Sequence, residues 1–161
     1  MTQTSPDTPG VIIFPPLIPL SVLVAGLVLN FLIPLGLLVR VPFLGRIVIG
    51  GIAFLVGIGM AIGAIRNFRR IGTPARPSQP TLALATTGVF TRTRNPIYVG
   101  GSLVLLGIAI GFALDWVLLL LVVSLPLLHY GIILPEERYL ERKFGDEYRR
   151  YKTTAPRYWW R

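Results

Sequence analysis

The chain has 161 residues, 53% of them hydrophobic and 14% charged, with a net charge of +9 and a mean hydropathy of +0.66. Soluble domains run near a quarter charged, so this composition excludes an ordinary soluble domain and fits an integral membrane protein. With no cysteine and a single histidine, disulfides, thiolate metal sites and cysteine nucleophiles are excluded, and no metal centre is expected.

The N-terminus, "MTQTSPDTPG", lacks the basic start of a signal peptide, so no cleavage is expected. Four apolar runs approach the roughly 20 residues needed to cross about 30 Å of hydrocarbon. The first lies within Leu17 to Val39, with Pro15, Pro16 and Pro19 at its start and Pro34 expected to kink it. "RVPFLGR", Arg40 to Arg46, makes a tight connection to the second, Ile47 to about Ile65, whose Gly59-x-x-x-Gly63 suits close helix contact. A Pro-, Thr- and Ser-rich connector follows. The third span runs from Pro96 to about Ala113 and the fourth from Trp116 to about Leu134, a tight hairpin turning at Leu114 and Asp115.

Charge orients these spans. Arg66 to Asn95 holds six arginines and no acid, the tail from Pro135 holds eight basic residues, and the Arg40–Arg46 loop holds two. Basic loops stay cytoplasmic, which places the long loop, the tail and, by the even span number, the N-terminus on that side. The same rule accounts for the charge without nucleic-acid binding. The expected fold is all-α: a polytopic membrane protein of about four transmembrane helices with a cytoplasmic C-terminal helical segment, forming one domain over residues 1–161.

In "TRTRNPIYVGG", Thr91 to Gly101, Asn95 is a favoured N-cap and Pro96 a favoured first helical residue. Such a helix start, flanked by Arg92 and Arg94, attracts anions. Tyr98 adds a ring and a hydroxyl, and Gly100 and Gly101 leave the backbone open to close approach. These residues fit either a ligand corner or a topology signal with packing glycines. In the tail, Pro135, Glu136 and Glu137 suit a helix start, and Leu140, Phe144, Tyr148 and Tyr151 share a stripe if the helix survives Gly145. The glutamates serve helix-start electrostatics or a pocket. His129 is either a satisfied bundle histidine or functional, and Asn30 an interhelical hydrogen-bonder. Tyr158, Trp159 and Trp160 resemble an interfacial belt. The hairpin brings the glutamates beside the Asn95–Pro96 corner, which would give one pocket with N–H groups, carboxylates and tyrosine rings. Those groups suit S-adenosylmethionine.

"TTGVFTRTRNPIYVGG", two apolar spans and "PEERYLERKFGDEYRRYK" together resemble the isoprenylcysteine carboxyl methyltransferase family and its phospholipid methyltransferase relatives, over about Thr86 to Pro156. Residues 1–85 match only in character, and 86–156 would form the cofactor-binding part. The resemblance implies a membrane-embedded methyltransferase that uses S-adenosylmethionine, releases S-adenosylhomocysteine, and takes a lipid or lipidated acceptor from the bilayer. By position, Arg94, Asn95, Pro96, Tyr98, Gly100 and Gly101 would form the cofactor corner, Glu136 and Glu137 its carboxylates, and Tyr148 and Tyr151 its closure. Many members carry His at the Asn95 position, and carboxyl methylating relatives carry Arg before the glutamates, where this chain has "GIIL". Methyl transfer is thus better supported than carboxyl methylation. Arg94 or His129 would meet an acceptor carboxylate, and His129 or Glu137 would serve as base for an amine or hydroxyl. The alternative is a non-enzymatic membrane scaffold or lipid-binding protein. A transporter fits less well, because no inverted repeat is visible.

Overall fold

Where no water reaches the backbone, every N–H and C=O must be satisfied within its own segment, and the apolar runs accordingly form helices. A computed structural model describes Gly10, residues 14–75 and residues 79–159. Among these, the regular elements are all helical: α1 Leu17–Leu32, α2 Phe43–Arg70, α3 Pro96–Gly111, α4 Asp115–Leu128, α5 Leu134–Phe144 and α6 Asp146–Thr154. Short 3-10 turns at Leu38–Arg40 and Gly88–Thr91 and a π-turn at His129–Ile133 join them.

Two helices are long and apolar enough to cross a membrane: α2, with 28 residues, and the continuous 30-residue run from Asp115 to Phe144. The helices α1 and α3 are apolar but have 16 residues each. At 1.5 Å per residue that is about 24 Å, short of the hydrocarbon thickness of about 30 Å. The expected first span is the most altered. Pro34 does not kink a longer helix, since α1 has already stopped at Leu32 and the chain enters a loop. The apolar part of the fourth run ends near Leu134, and α5 beyond it is strongly charged. Pro126, inside α4, lacks the N–H that would bond one turn back, and the π-turn follows directly.

Glycines set the closest helix contact, though not the expected pair. Gly59 has open space beside it, and Gly63 faces Val89. The seam between α2 and α3 uses Gly50 and Gly57, two helical turns apart and so on one face. A Cβ at Gly57 would stand 2.5 Å from the Gly100 carbonyl oxygen, and one at Gly107 would stand 2.5 Å from that of Gly50. Both obstacles are backbone, so relief requires moving a helix. Gly57→Val is therefore expected to cost about 1–3 kcal/mol, read as a lowered midpoint of thermal unfolding in detergent. Gly59→Val, with nothing near it, should leave the midpoint almost unchanged.

α1 packs on α4, with Gly26 against Val117. A polar clamp holds the end of this pair away from the site. The buried Asp115 carboxylate accepts the Leu37 and Leu38 N–H groups at 2.9 and 2.8 Å. Asn30 accepts the Trp116 N–H at 3.3 Å, the interhelical role expected of it.

The core has two parts. Val22, Leu105, Ala109, Val117 and Leu121 pack where α1, α3 and α4 meet. Ala64, Ala85, Phe90, Tyr148 and Tyr151 pack where α2, the connector and α6 meet. The expected continuous tail helix does not survive Gly145, which takes φ +52°, a left-handed value that favours glycine. The break turns α6 back over the connector, so Tyr148 and Tyr151 reach the core from a new direction.

Candidate active site

Thr93–Asn95 lies at the foot of α3, and the segment after α6 is strapped across it. The Arg94 N–H donates to the Pro156 carbonyl at 2.9 Å, and the Thr93 hydroxyl and Asn95 side-chain amide donate to the Arg157 carbonyl at 2.9 and 3.0 Å. Asn95 holds the N-cap position, but its side chain is committed to Arg157 and does not cap α3. Pro96, at the first helical position, has no N–H to satisfy.

Glu137, buried, receives two guanidiniums. Arg157 donates from Nε at 3.1 Å to each carboxylate oxygen and from a terminal nitrogen at 2.8 Å. Arg94 approaches Oε1 at 3.2 Å. The Glu137 hydrogen bonds hold the Arg157 guanidinium above its ordinary pKa. Glu136 is differently placed. Its Oε1 accepts the Tyr98 hydroxyl at 2.6 Å. Among the described residues, no arginine or lysine pairs with it.

A cavity of about 440 Å³ lies between these groups, within the usual range for small-molecule sites. Arg94, Asn95, Tyr98, Glu136, Glu137 and Tyr148 line its polar end, and Ile18, Leu105, Leu121 and Leu128 its apolar end. Tyr98, Ser102 and Leu105 lie at helical spacing on one face of α3, so the polar end runs into the apolar end along that face. Two buried polar atoms on lining residues have no protein partner, Arg94 Nε and the Tyr148 hydroxyl. Unsatisfied buried groups are costly, and both belong to residues that line the cavity.

Burial raises the pKa of the Tyr148 and Tyr151 hydroxyls, so both remain proton donors around neutrality. The Tyr151 hydroxyl donates to the Phe90 carbonyl at 2.7 Å, and the two rings sit 6.1 Å apart.

The residues expected to act together are mostly brought together. Arg94, Asn95, Pro96, Tyr98, Gly101, Glu136, Glu137, Tyr148 and Tyr151 all line the cavity. Gly100 faces away, packed on the Gly57 carbonyl of α2. His129 bonds through Nδ1 to the Tyr158 hydroxyl and does not line the cavity. Trp159 is exposed, and Trp160 lies outside the described residues. Sequence reasoning missed Arg157. Its guanidinium reaches Glu137 from twenty residues downstream. No local pattern marks it, since its role depends on the turn at Gly145.

A family model described as phospholipid methyltransferase matches residues 45–147. That range holds Arg94 to Gly101, Glu136 and Glu137, and ends one residue before Tyr148. No curated protein and no solved structure matches the chain.

Proposed function

Because the chain belongs to the phospholipid methyltransferase family, a family of integral membrane methyltransferases, we propose that it transfers a methyl group from S-adenosylmethionine to a lipophilic or lipidated acceptor at the cytoplasmic membrane face. One observation carries the donor site: two unpartnered buried donors, Arg94 Nε and the Tyr148 hydroxyl, belong to residues lining the polar part of the cavity beside the uncapped start of α3.

When bound, S-adenosylmethionine supplies an electrophilic methyl group on a sulfonium. Arg94 and the free N–H groups of the first turn of α3 would hold its carboxylate. Glu137, fixed by Arg94 and Arg157, would accept from its amine or ribose hydroxyls. The Tyr148 and Tyr151 rings present π faces that attract cations. The strap after α6 excludes water from the polar end, which strengthens these interactions. The apolar lining from α1, α3 and α4 would seat the acceptor's chain, and the protein would contribute orientation above all. The basic loop and tail favour a cytoplasmic site with both termini on that side, and the domain would comprise all four apolar helices. Cofactor loss of the kind expected of an inert scaffold would leave the two buried donors without purpose.

Equilibrium binding of S-adenosylmethionine to detergent-purified protein, by titration calorimetry, tests this function. One-to-one binding is expected, and its absence would sink the proposal.

A further inference from the structure

The two adjacent glutamates differ in a way that assigns them different tasks. Glu137 meets two guanidiniums, so its negative charge is already neutralised and its lone pairs are largely used. Glu136 has one neutral donor, the Tyr98 hydroxyl on Oε1 at 2.6 Å, which leaves Oε2 available. From α5 it meets Tyr98 of α3, whose helix face continues through Ser102 and Leu105 along the cavity lining. A carboxylate there would lie beside an acceptor seated on that face. The other titratable groups around the cavity are otherwise placed: Arg94 on Glu137, Tyr139 on the Thr81 N–H, and Tyr148 and Tyr151 on α6.

We propose that Glu136, positioned by the Tyr98 hydroxyl, is the proton acceptor of the methyl transfer, and that the acceptor is therefore an N–H or O–H nucleophile on an apolar chain. This rests on the methyltransferase function proposed above. In the step, the nucleophile's lone pair forms the bond to the methyl carbon. The carbon–sulfur bond breaks with its electron pair left on sulfur. The N–H or O–H proton passes to Glu136 Oε2, and from there to solvent after product leaves. A carboxylate acceptor would have no proton to give, and it would meet like charge at Glu136. Tyr98 acts through Glu136: its donor bond favours the ionised carboxylate and fixes its orientation.

The test uses the full-length protein in detergent with methyl-labelled S-adenosylmethionine and three probes of equal chain length, dodecylamine, 4-dodecylphenol and dodecanoate. Wild type should methylate the amine or the phenol, the arm that responds naming the nucleophile, and not dodecanoate. Glu136→Gln should lower kcat by about 100-fold or more, the usual worth of a general base, while its Kd for S-adenosylmethionine stays within about threefold. An infrared titration gives a readout independent of turnover: a titrating carboxyl band present in wild type and missing from Glu136→Gln. Tyr98→Phe should move the acid limb of the kcat profile to higher pH, because the carboxylate loses its donor, an effect that a purely structural tyrosine would not produce. Near-wild-type kcat in Glu136→Gln, preferred methylation of dodecanoate, or an unmoved limb in Tyr98→Phe would overturn the assignment. Failure of the donor site itself reads differently, as absent calorimetric binding before any probe is added.

Discussion

Glu137→Ala is expected to destabilise the protein by about 3–5 kcal/mol, the largest stability loss of any single change at the site. The Glu137 side chain is 7% exposed and that of Arg94 is 8% exposed. Removing the carboxylate leaves the Arg94 guanidinium buried with no counter-charge, and burying an unpaired charge costs far more than the pair contributed. Arg157, 35% exposed, can turn toward water and will suffer less. The converse change should therefore be mild: Arg157→Ala is expected to cost about 1 kcal/mol, since Glu137 retains Arg94. Chemical denaturation in a single detergent checks both. Equal losses from the two variants would show that the charge on Arg94 is not isolated as the geometry requires.

The second large effect falls on ligand binding. Arg94→Gln keeps much of the side-chain length but loses the charge and the free Nε donor. Charge-assisted hydrogen bonds contribute about 1.5–3 kcal/mol, so S-adenosylmethionine should bind about 10- to 150-fold more weakly. Tyr148→Phe makes a sharper comparison because two observables should move in opposite directions. The hydroxyl is buried with no protein partner, so the ligand-free protein gains stability when it is removed. In the proposed site the same hydroxyl would donate to the ligand, so affinity should fall, by about 2- to 10-fold for a neutral hydrogen bond. Thermal unfolding and calorimetry on one preparation read both. A loss of both stability and affinity would instead make Tyr148 a packing residue only.

Much of this arrangement was legible from local pattern. Pro96 marks the start of α3 at the residue where it begins, because a fixed φ acts within one turn, although the Asn95 side chain turns to the Arg157 carbonyl and leaves the helix uncapped. Glu136 and Glu137 were placed beside that corner on the strength of a short connection between apolar runs. The lengths of α1 and α3 were overestimated because hydropathy continues past Leu32 and Gly111 while the backbone does not, at Pro34 and at Ala113 with its positive φ. The glycine seam was misassigned because the x-x-x spacing of Gly59 and Gly63 is visible in sequence, whereas which helix face meets a neighbour is not. Arg157 and the divergent settings of the two glutamates were out of reach for a related reason. Adjacent side chains on a helix point about 100° apart, and only the packing of α3, α6 and the strap decides which charge each one meets.

The central claim is methyl transfer to a membrane-borne acceptor, and one measurement bears on it directly. Purified wild type and Arg94→Gln would be incubated with methyl-labelled S-adenosylmethionine and a membrane lipid extract, and the lipids resolved by mass spectrometry. The account predicts label in a discrete lipid species with wild type, strongly reduced with Arg94→Gln at the same cofactor concentration. Cofactor bound by the wild type with no label in any lipid would contradict it.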